Sequence, residues 1–416
     1  MEYLLSEEKI SKIRAFRGNR VKGLIRDLDL DFLLLWDYGN TRYAFDIFSA
    51  FHYESAHAFH GYLISKEGVV SIILSDSFDD HHPYSPGGLY DPAKNHGEIW
   101  TVDPVVRSAG SESYLRSVPK RYAALVTEAM AANGGGTRVG VDTFADFGAY
   151  QELQKLTPEK EYIGVGFDLA KVRMQNCDEE VELMEKTCEV HNRVLWQGMS
   201  EVEPGWTDFQ LSSRMAELFA LEPSVEKHCL NLTYSYEPGG AMGMIWSPVG
   251  RVYKEGETVT SDVGIMTFGG STTDYGRARI LGKPSKELWD DYYWFHTNHH
   301  ELMAKIKPGM LCSEMVQMYI DAHEERGMPL VMLGHGVGTQ MDEMPQLNPA
   351  EAQEFDAVLE PNMTLCIEPA CVSNDPVHGP QILWCEDQWV VEADGMRRLA
   401  PLEYFDIDNA DLATMK

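Results

Sequence analysis

The sequence contains little positive charge. Lysine and arginine total 35 residues against 65 aspartates and glutamates, so the chain of 416 residues has a formal net charge of -30. Nucleic acids and anionic membranes would repel such a chain. We therefore expect neither to be a partner of this protein.

Long apolar runs and paired cysteines are also missing. No stretch of about 18 apolar residues occurs, so no membrane-spanning helix is predicted. The opening MEYLLSEEKI lacks the basic and apolar regions of a secretory signal. The seven cysteines are odd in number and contain no Cys-x-x-Cys pair, which argues against a disulfide framework. We expect reduced cysteines in the core of a cytoplasmic protein.

What the chain does contain is typical of a globular protein with two domains. Hydrophobic residues make up 44% of it and aromatic residues 11%, which excludes disorder as the main state. Strand-like runs and helical patterns alternate up to residue 175, with a hairpin turn at 66–68 and a helix over 116–132. Acids at 178–180 then open an amphipathic helix. We predict an α/β domain at 1–175 and a second domain at 176–416.

The second domain contains a weak internal repeat. Pro-Gly turns at 204–205 and 308–309 each lead into an amphipathic helix. An internally duplicated α+β domain would produce this pattern, and coincidence explains it equally well. His299 and His300, on the helix before the second turn, are predicted to lie on a solvated face.

Five potential metal ligands occur in this domain, each in a strand-like segment. Asp262 and Asp274 flank a glycine turn and are predicted to lie on adjacent strands of a hairpin. His335 lies in Gly-His-Gly-Val-Gly, where glycines let the backbone approach a ligand closely. Glu368 ends an apolar strand, and Glu386 interrupts the apolar middle of another. Singly, each residue has an ordinary structural explanation, but together they suit two divalent ions with bridging carboxylates.

The donor types restrict the metal. Four carboxylates and one imidazole favour Fe, Mn, Co or Zn over a metal that prefers thiolates. The charge is also concentrated in this domain, since residues 176–416 have a net charge of -25 and residues 1–175 one of -5. Such an excess can steer a cationic substrate toward the site, although a solvated acidic surface would look the same.

The order of these five residues resembles that of the creatinase/aminopeptidase P/methionine aminopeptidase family. The motif around His335, the Asp-Glu-Met-Pro at 342–345 and the segment at 359–369 support the resemblance, as does an Asn-x-x-Tyr at 40–43. It implies an α+β fold, with a pita-bread C-terminal domain preceded by a smaller creatinase-like α/β domain. It also implies two metal ions held by the five residues, and a homodimer in which one N-terminal domain caps the partner's site.

Two positions depart from the family's peptidases. Those enzymes usually place a histidine before Glu-x-Pro, where this chain has Asp342, and another upstream of the first metal aspartate, where it offers Trp246. In the peptidases, those imidazoles donate hydrogen bonds to the reacting carbonyl, and the loss of one such donor typically costs about 3 kcal/mol. We therefore predict a non-peptidase hydrolase or a lyase that cleaves a small polar substrate.

A branch of the same fold, the metal-dependent dimethylsulfoniopropionate lyases, resembles this chain more closely in some respects. Both have a longer step between the two metal aspartates than the peptidases usually have, 12 residues in this chain, and both have an aspartate before Glu-x-Pro, which in that branch removes a proton next to a carboxylate. That branch has Asp-x-Asp at the first ligand, however, where this chain has Asp262-Val263-Gly264. β-Elimination of this type is one alternative. A Xaa-Pro peptidase is another, and a non-catalytic pita-bread module that binds a partner is a third.

Four further residues are candidates for the reaction itself. Asp342 is the predicted catalytic acid or base, and its structural alternative is a turn cap. Trp246 and Tyr236 would form an aromatic wall for a cationic substrate, worth roughly 0.5–2 kcal/mol per ring, unless they are ordinary packing. Arg277 would bind a substrate carboxylate, or else belong to a structural ion pair.

Overall fold

The computed structural model describes residues 2–47, 61–74, 99–105, 107–109, 117–143, 146–234, 250–348 and 355–405. Within these ranges, no helix combines the length and the apolar composition needed to cross a membrane. The chain divides into two compact units. The first comprises Ser6–Arg173, and the second comprises Met174–Lys416 together with Met1–Leu5.

The described strands of the first unit form one mixed sheet. Its helices are α1 (Glu7–Asp27), α2 (Tyr38–Phe45), α3 (Ser117–Ala132), α4 (Phe147–Leu156) and α5 (Gly166–Arg173). Its strands are β1 (Phe32–Leu35), β2 (Gly61–Ser65), β3 (Val69–Leu74), β4 (Thr101–Val102), β5 (Arg107–Ser108), β6 (Arg138–Val141) and β7 (Glu161–Gly164). The strand order is β4-β3-β2-β1-β6-β7, with β5 beside β3.

Both faces of this sheet are covered. Leu33 and Leu35 of β1 pack into one hydrophobic cluster, and Phe32 and Leu34 into another. This alternation follows from the period of two along a strand. The predicted hairpin is confirmed, because β2 and β3 pair antiparallel around Gly68, whose φ of 82° suits a turn.

The second unit contains the longer helices and strands. Its helices are α6 (Asp178–Glu201), α7 (Asp208–Ala220), α8 (Lys286–Met303) and α9 (Cys312–Arg326). Its strands are β8 (Val225–Tyr234), β9 (Thr258–Thr267), β10 (Ser271–Ile280), β11 (Met332–Gly336), β12 (Glu343–Gln346), β13 (Thr364–Asp375), β14 (Gly379–Val391) and β15 (Met396–Arg398). They form one sheet in the order β12-β11-β13-β14-β10-β9-β8, with β15 beside β14.

The weak repeat in the sequence corresponds to a repeated local structure. The Pro-Gly turn before α7 pairs with an extended segment through Gly205 N–H to the carbonyl of Tyr253, at 2.9 Å. The turn before α9 makes the equivalent bond from Gly309 N–H to Leu359, at 2.8 Å. Both glycines have positive φ, 97° and 89°. The second unit therefore uses the same turn-helix arrangement twice.

The prediction that His299 and His300 lie on a solvated face is wrong. His299 is 1% exposed and shares a hydrogen bond of 2.8 Å with the hydroxyl of Tyr319, while the ring of His300 lies 5.5 Å from that of Tyr404. Burial lowers the pKa of His300 to about 4 and that of His299 well below its usual range. The imidazoles are packed as neutral core groups.

Candidate metal centre

The five predicted ligands lie on five strands of the second unit's sheet. Asp262 is on β9, Asp274 on β10, His335 on β11, Glu368 on β13 and Glu386 on β14. All are nearly buried, with 1–9% of their surface exposed. A sheet holds its side chains on a rigid backbone, so residues far apart in the sequence occupy fixed positions at one site.

The two aspartates lie diagonally across a hairpin, as predicted. In the register of β9 and β10, Asp262 faces Gly276 and Gly264 faces Asp274. Diagonal neighbours offset by two residues point to the same face of the sheet. β10 then pairs with β14 so that Gly276 faces Glu386, which brings a third carboxylate beside the first two.

The glycines around His335 serve the sheet itself. A Cβ on Gly334 would lie 2.1 Å from the carbonyl oxygen of Cys366, and one on Gly336 would lie 2.0 Å from that of Met344. The glycines therefore allow β11 to lie close to the strands on either side of it. This role differs from the close approach to a ligand that the sequence motif suggested.

The imidazole of His335 is oriented toward the carboxylates. Its Nδ1 is 2.8 Å from the carbonyl oxygen of Gly336, which makes this nitrogen the hydrogen-bond donor. Its Nε2 lies 3.6 Å from Asp274 Oδ2 and 3.5 Å from Glu368 Oε1. A neutral histidine that donates from Nδ1 presents a lone pair at Nε2, which is the state required of a metal ligand.

The carboxylates strongly disfavour one another's ionisation. Burial raises the pKa of Asp274 well above its usual range, and the charges of Asp262 and Glu368 raise it further. Burial and neighbouring carboxylates also raise the pKa values of Glu368 and Glu386. Within the described part of the chain, Asp274 Oδ1 and Glu386 Oε2 are buried without a hydrogen-bond partner. Divalent cations would satisfy these oxygens and neutralise the charges, so the residues present fit such a group.

Sequence reasoning missed Cys366. One ligand atom from each of Asp274, His335, Cys366 and Glu386 lies within 4.8 Å of the other three. The thiol donates to Glu386 Oε1 at 2.7 Å. Its position two residues before Glu368 on a strand, which places both side chains on one face, was the available signal.

The expectation that Arg277 binds substrate is not supported by its surroundings. The side chain is completely buried, and its Nη2 lies 2.6 Å from Asp387 Oδ1 in an ion pair. The remaining donors reach the carbonyl oxygens of Gly276, Glu386, Leu402 and Glu403. The guanidinium is thus fully engaged inside the protein, and the structural ion pair is the better explanation.

Asp342 lies at the edge of the carboxylate cluster. It is exposed and precedes β12, whose Glu343 pairs with Gly336 next to His335. Its Oδ1 accepts a hydrogen bond of 2.5 Å from Gln346 Nε2. Its charge contributes to the raised pKa values of Asp274 and Glu368. Trp246 and Tyr236 lie outside the described residues.

This sheet has the pita-bread fold, preceded by a smaller N-terminal domain, and its donor set is one that could hold metal ions. Residues 182–393, slightly more than half of the chain, match Metallopeptidase family M24, and the chain belongs to this family. The chain is 22% identical to a Xaa-Pro dipeptidase of Pyrococcus horikoshii over 268 residues, which are 64% of this chain and 73% of that protein.

Solved structures share the fold over almost the whole chain. A Xaa-Pro dipeptidase from Bacillus anthracis has a TM-score of 0.71 at 19% identity and covers 94% of this chain and 99% of its own. A prolidase from Thermococcus sibiricus has a TM-score of 0.72 at 16% identity and covers 97% and 98%. These likenesses confirm the predicted fold class. The dimethylsulfoniopropionate lyase branch finds no support among these relatives.

Proposed function

We propose that the protein is a hydrolase that uses two divalent metal ions to cleave a small polar substrate, and that Xaa-Pro dipeptides are the first substrate class to test. The observation that carries the proposal is the convergence of the five predicted ligands, with buried carboxylate oxygens that lack partners among the described residues. Family membership and the Xaa-Pro dipeptidase relatives support hydrolysis over elimination, and they favour the Xaa-Pro peptidase alternative over the non-peptidase reaction predicted from the sequence.

The proposed ligands are Asp262, Asp274, His335, Glu368 and Glu386, and Fe, Mn, Co and Zn all suit them. When bound, such ions polarise a substrate carbonyl and lower the pKa of bound water. The protein holds the ligands on strands and excludes water by burial. The charge of -25 over residues 176–416 favours approach of a cationic group, which includes the free amino end of a dipeptide.

We assign Asp342 the role of moving a proton. Its carboxylate is exposed, and it lies at the edge of the buried cluster, where substrate and solvent can both reach it. A carboxylate accepts a proton from one group and returns it to another, as general acid-base catalysis requires. The same position suits removal of a carbon-bound proton, so elimination from a small carboxylate substrate is the second candidate.

Metal analysis and a substrate panel test the proposal together. Purified full-length protein, reconstituted with Mn²⁺ or Fe²⁺, should contain close to two ions per chain and hydrolyse a Xaa-Pro dipeptide. Dimethylsulfoniopropionate, assayed in parallel, tests for elimination, and ectoine tests for the hydrolysis of another C–N bond. A metal content near zero would instead favour a non-catalytic binding module.

Replacement of Asp342 tests the role of that residue. We expect Asp342→Ala to abolish turnover while the metal content stays unchanged, because the side chain is exposed and outside the proposed ligand set. Asp321→Ala is a matched control, since Asp321 is also exposed and accepts a similar bond, of 2.7 Å, from Gln317. Full activity of Asp342→Ala on the preferred substrate would remove Asp342 from the reaction.

A further inference from the structure

Cys366 occupies an unusual place for a cysteine. It lies on β13 and is completely buried, and β13 pairs with β11 so that Cys366 faces His335. Glu368, two residues further along the strand, points to the same face. The thiol is therefore part of the layer of side chains that forms the proposed metal site, rather than of a hydrophobic core alone.

The nearer of the two acceptors of this thiol is a carboxylate oxygen. Its sulfur lies 2.7 Å from Glu386 Oε1 and 3.6 Å from the carbonyl oxygen of Asp274. The other oxygen, Glu386 Oε2, is buried and has no hydrogen-bond partner within the described ranges. The two oxygens of Glu386 thus differ, since one accepts from the thiol and the other remains available to an ion.

We propose that Cys366 is a positioning residue of the metal site, which holds Glu386 by donating its S–H to Oε1 and so directs Oε2 toward the metal. The inference rests on the proposed function. A hydrogen bond to a ligating carboxylate fixes its rotamer before the ion arrives, so less order has to be imposed on binding. Asp274 and His335 lie close enough to share the same ion.

Three variants and one measurement test this role. Apo protein would be titrated with Co²⁺ against a competing chelator for wild type, Cys366→Ser, Cys366→Ala and Cys371→Ala. Serine keeps a donor at position 366, whereas alanine removes it. Cys371 is a matched control, because it is also on β13 and completely buried but packs into a hydrophobic cluster with Leu383.

We expect Cys366→Ala to weaken Co²⁺ binding by about 10- to 100-fold. Cys366→Ser and Cys371→Ala should bind close to the wild-type affinity. Thermal unfolding of the apo proteins separates this effect from general destabilisation, since both alanine variants lose a buried sulfur. Rescue by serine but not by alanine is the result that a purely packing role would not give.

Two results would overturn the assignment and leave the proposed function in place. Wild-type affinity in Cys366→Ala would show that the thiol does not position Glu386. Equal loss in the serine and alanine variants, with a sulfur scatterer at about 2.3 Å in the X-ray absorption spectrum of the metal-loaded wild type, would show that Cys366 is itself a ligand. Failure of the wild type to bind Co²⁺ at all would overturn the proposed function as well as this assignment. In both of the results above the wild type still binds Co²⁺, so this outcome is distinguishable from them.

Discussion

Arg277 places a full positive charge where no water reaches it. The charge is balanced by Asp387, whose Oδ2 also accepts a hydrogen bond of 2.6 Å from the hydroxyl of Tyr404. Arg277 and Arg398 hold the pKa of Asp387 well below its usual range despite complete burial. Arg277 lies on β10 and Asp387 on β14, so the ion pair joins the strands that carry Asp274 and Glu386.

Removing the guanidinium should therefore be costly. We expect Arg277→Met to lower the free energy of unfolding by about 3–5 kcal/mol, because it leaves the buried Asp387 carboxylate without its main partner. Arg214→Met is the control, since Arg214 forms an ion pair with Glu201 that is partly exposed and should be worth about 1 kcal/mol or less. Urea unfolding of both variants makes the comparison, and equal losses would contradict the prediction.

The sequence predicted the candidate metal ligands better than it predicted the contacts of the residues around them. Asp262 and Asp274 are recognisable because a hairpin is a local structure, and its turn and β-branched residues lie beside them. The partners of Arg277 include the carbonyl oxygens of Leu402 and Glu403, about 125 residues further along the chain, and no local pattern announces them. A substrate arginine and a buried structural arginine look alike until such distant contacts are known.

Gly276 on strand β10 leaves room for two side chains of strand β14. A Cβ on Gly276 would lie 1.9 Å from a ring carbon of Trp384 and 3.0 Å from Glu386 Oε2. Trp384 is 1% exposed, so its indole has no free space to move into. Gly276 thus lets the ring lie close to β10 beside a proposed metal ligand.

We expect Gly276→Ala to destabilise the second unit by about 1–3 kcal/mol through overpacking and to reduce the metal content. Displacement of the indole or of the Glu386 carboxylate is the physical reason for both effects. Gly164→Ala is the control, because a Cβ there would meet no atom within 4 Å. Thermal unfolding and metal analysis of the two variants check the prediction. Unchanged metal content in Gly276→Ala would contradict it.

At the scale of helices and strands, periodicity and turn chemistry were good guides. The hairpins at β2–β3 and β9–β10 and the start of α6 at Asp178 follow from them. They did not predict which face of α8 is exposed. His299 reads as polar in the sequence, but Tyr319 of α9 and Trp389 of β14 cover it in the fold. Tertiary packing therefore decides which side of a mixed polar and aromatic helix is buried.

The stability of the whole molecule should depend on pH through Asp142 of the first unit. Burial raises the pKa of this carboxyl to about 6, against an ordinary value of 3.8, and the charge of Asp37 adds to the effect. The carboxylate accepts backbone N–H groups from Trp36 and Asp37 and the amide of Asn40, which hold it in place. A raised folded pKa means that the native state binds the proton more tightly than the unfolded state.

Asp142 therefore stabilises the fold fully below about pH 4, and this contribution is lost as the pH rises through about 6. Between about pH 7.5 and pH 5, wild type should gain about 1.4 kcal/mol relative to Asp142→Asn, which cannot titrate. Urea unfolding of both proteins at the two pH values measures this difference. If the free energies of unfolding of wild type and variant differed by the same amount at both pH values, the raised pKa of Asp142 would be contradicted.

The stability that bound metal adds should depend on pH in the opposite way, because it should increase as the pH rises. Burial and mutual repulsion raise the pKa values of Asp274, Glu368 and Glu386 in the metal-free fold. Their protonated forms stabilise that fold at low pH, and this stability is lost as the pH rises through the raised values. Metal ions need the ionised carboxylates, so their binding strengthens over the same range.

The gap in unfolding temperature between metal-loaded and chelated protein should consequently widen from about pH 6 to about pH 8. An ion present at a hundred times its dissociation constant contributes about 2.7 kcal/mol to the free energy of unfolding, which is a large fraction of the stability of a domain. Calorimetric scans with Mn²⁺ and with chelator at both pH values measure the gap. A gap that stays constant or narrows with rising pH would show that these carboxylates are not the groups that exchange protons for metal.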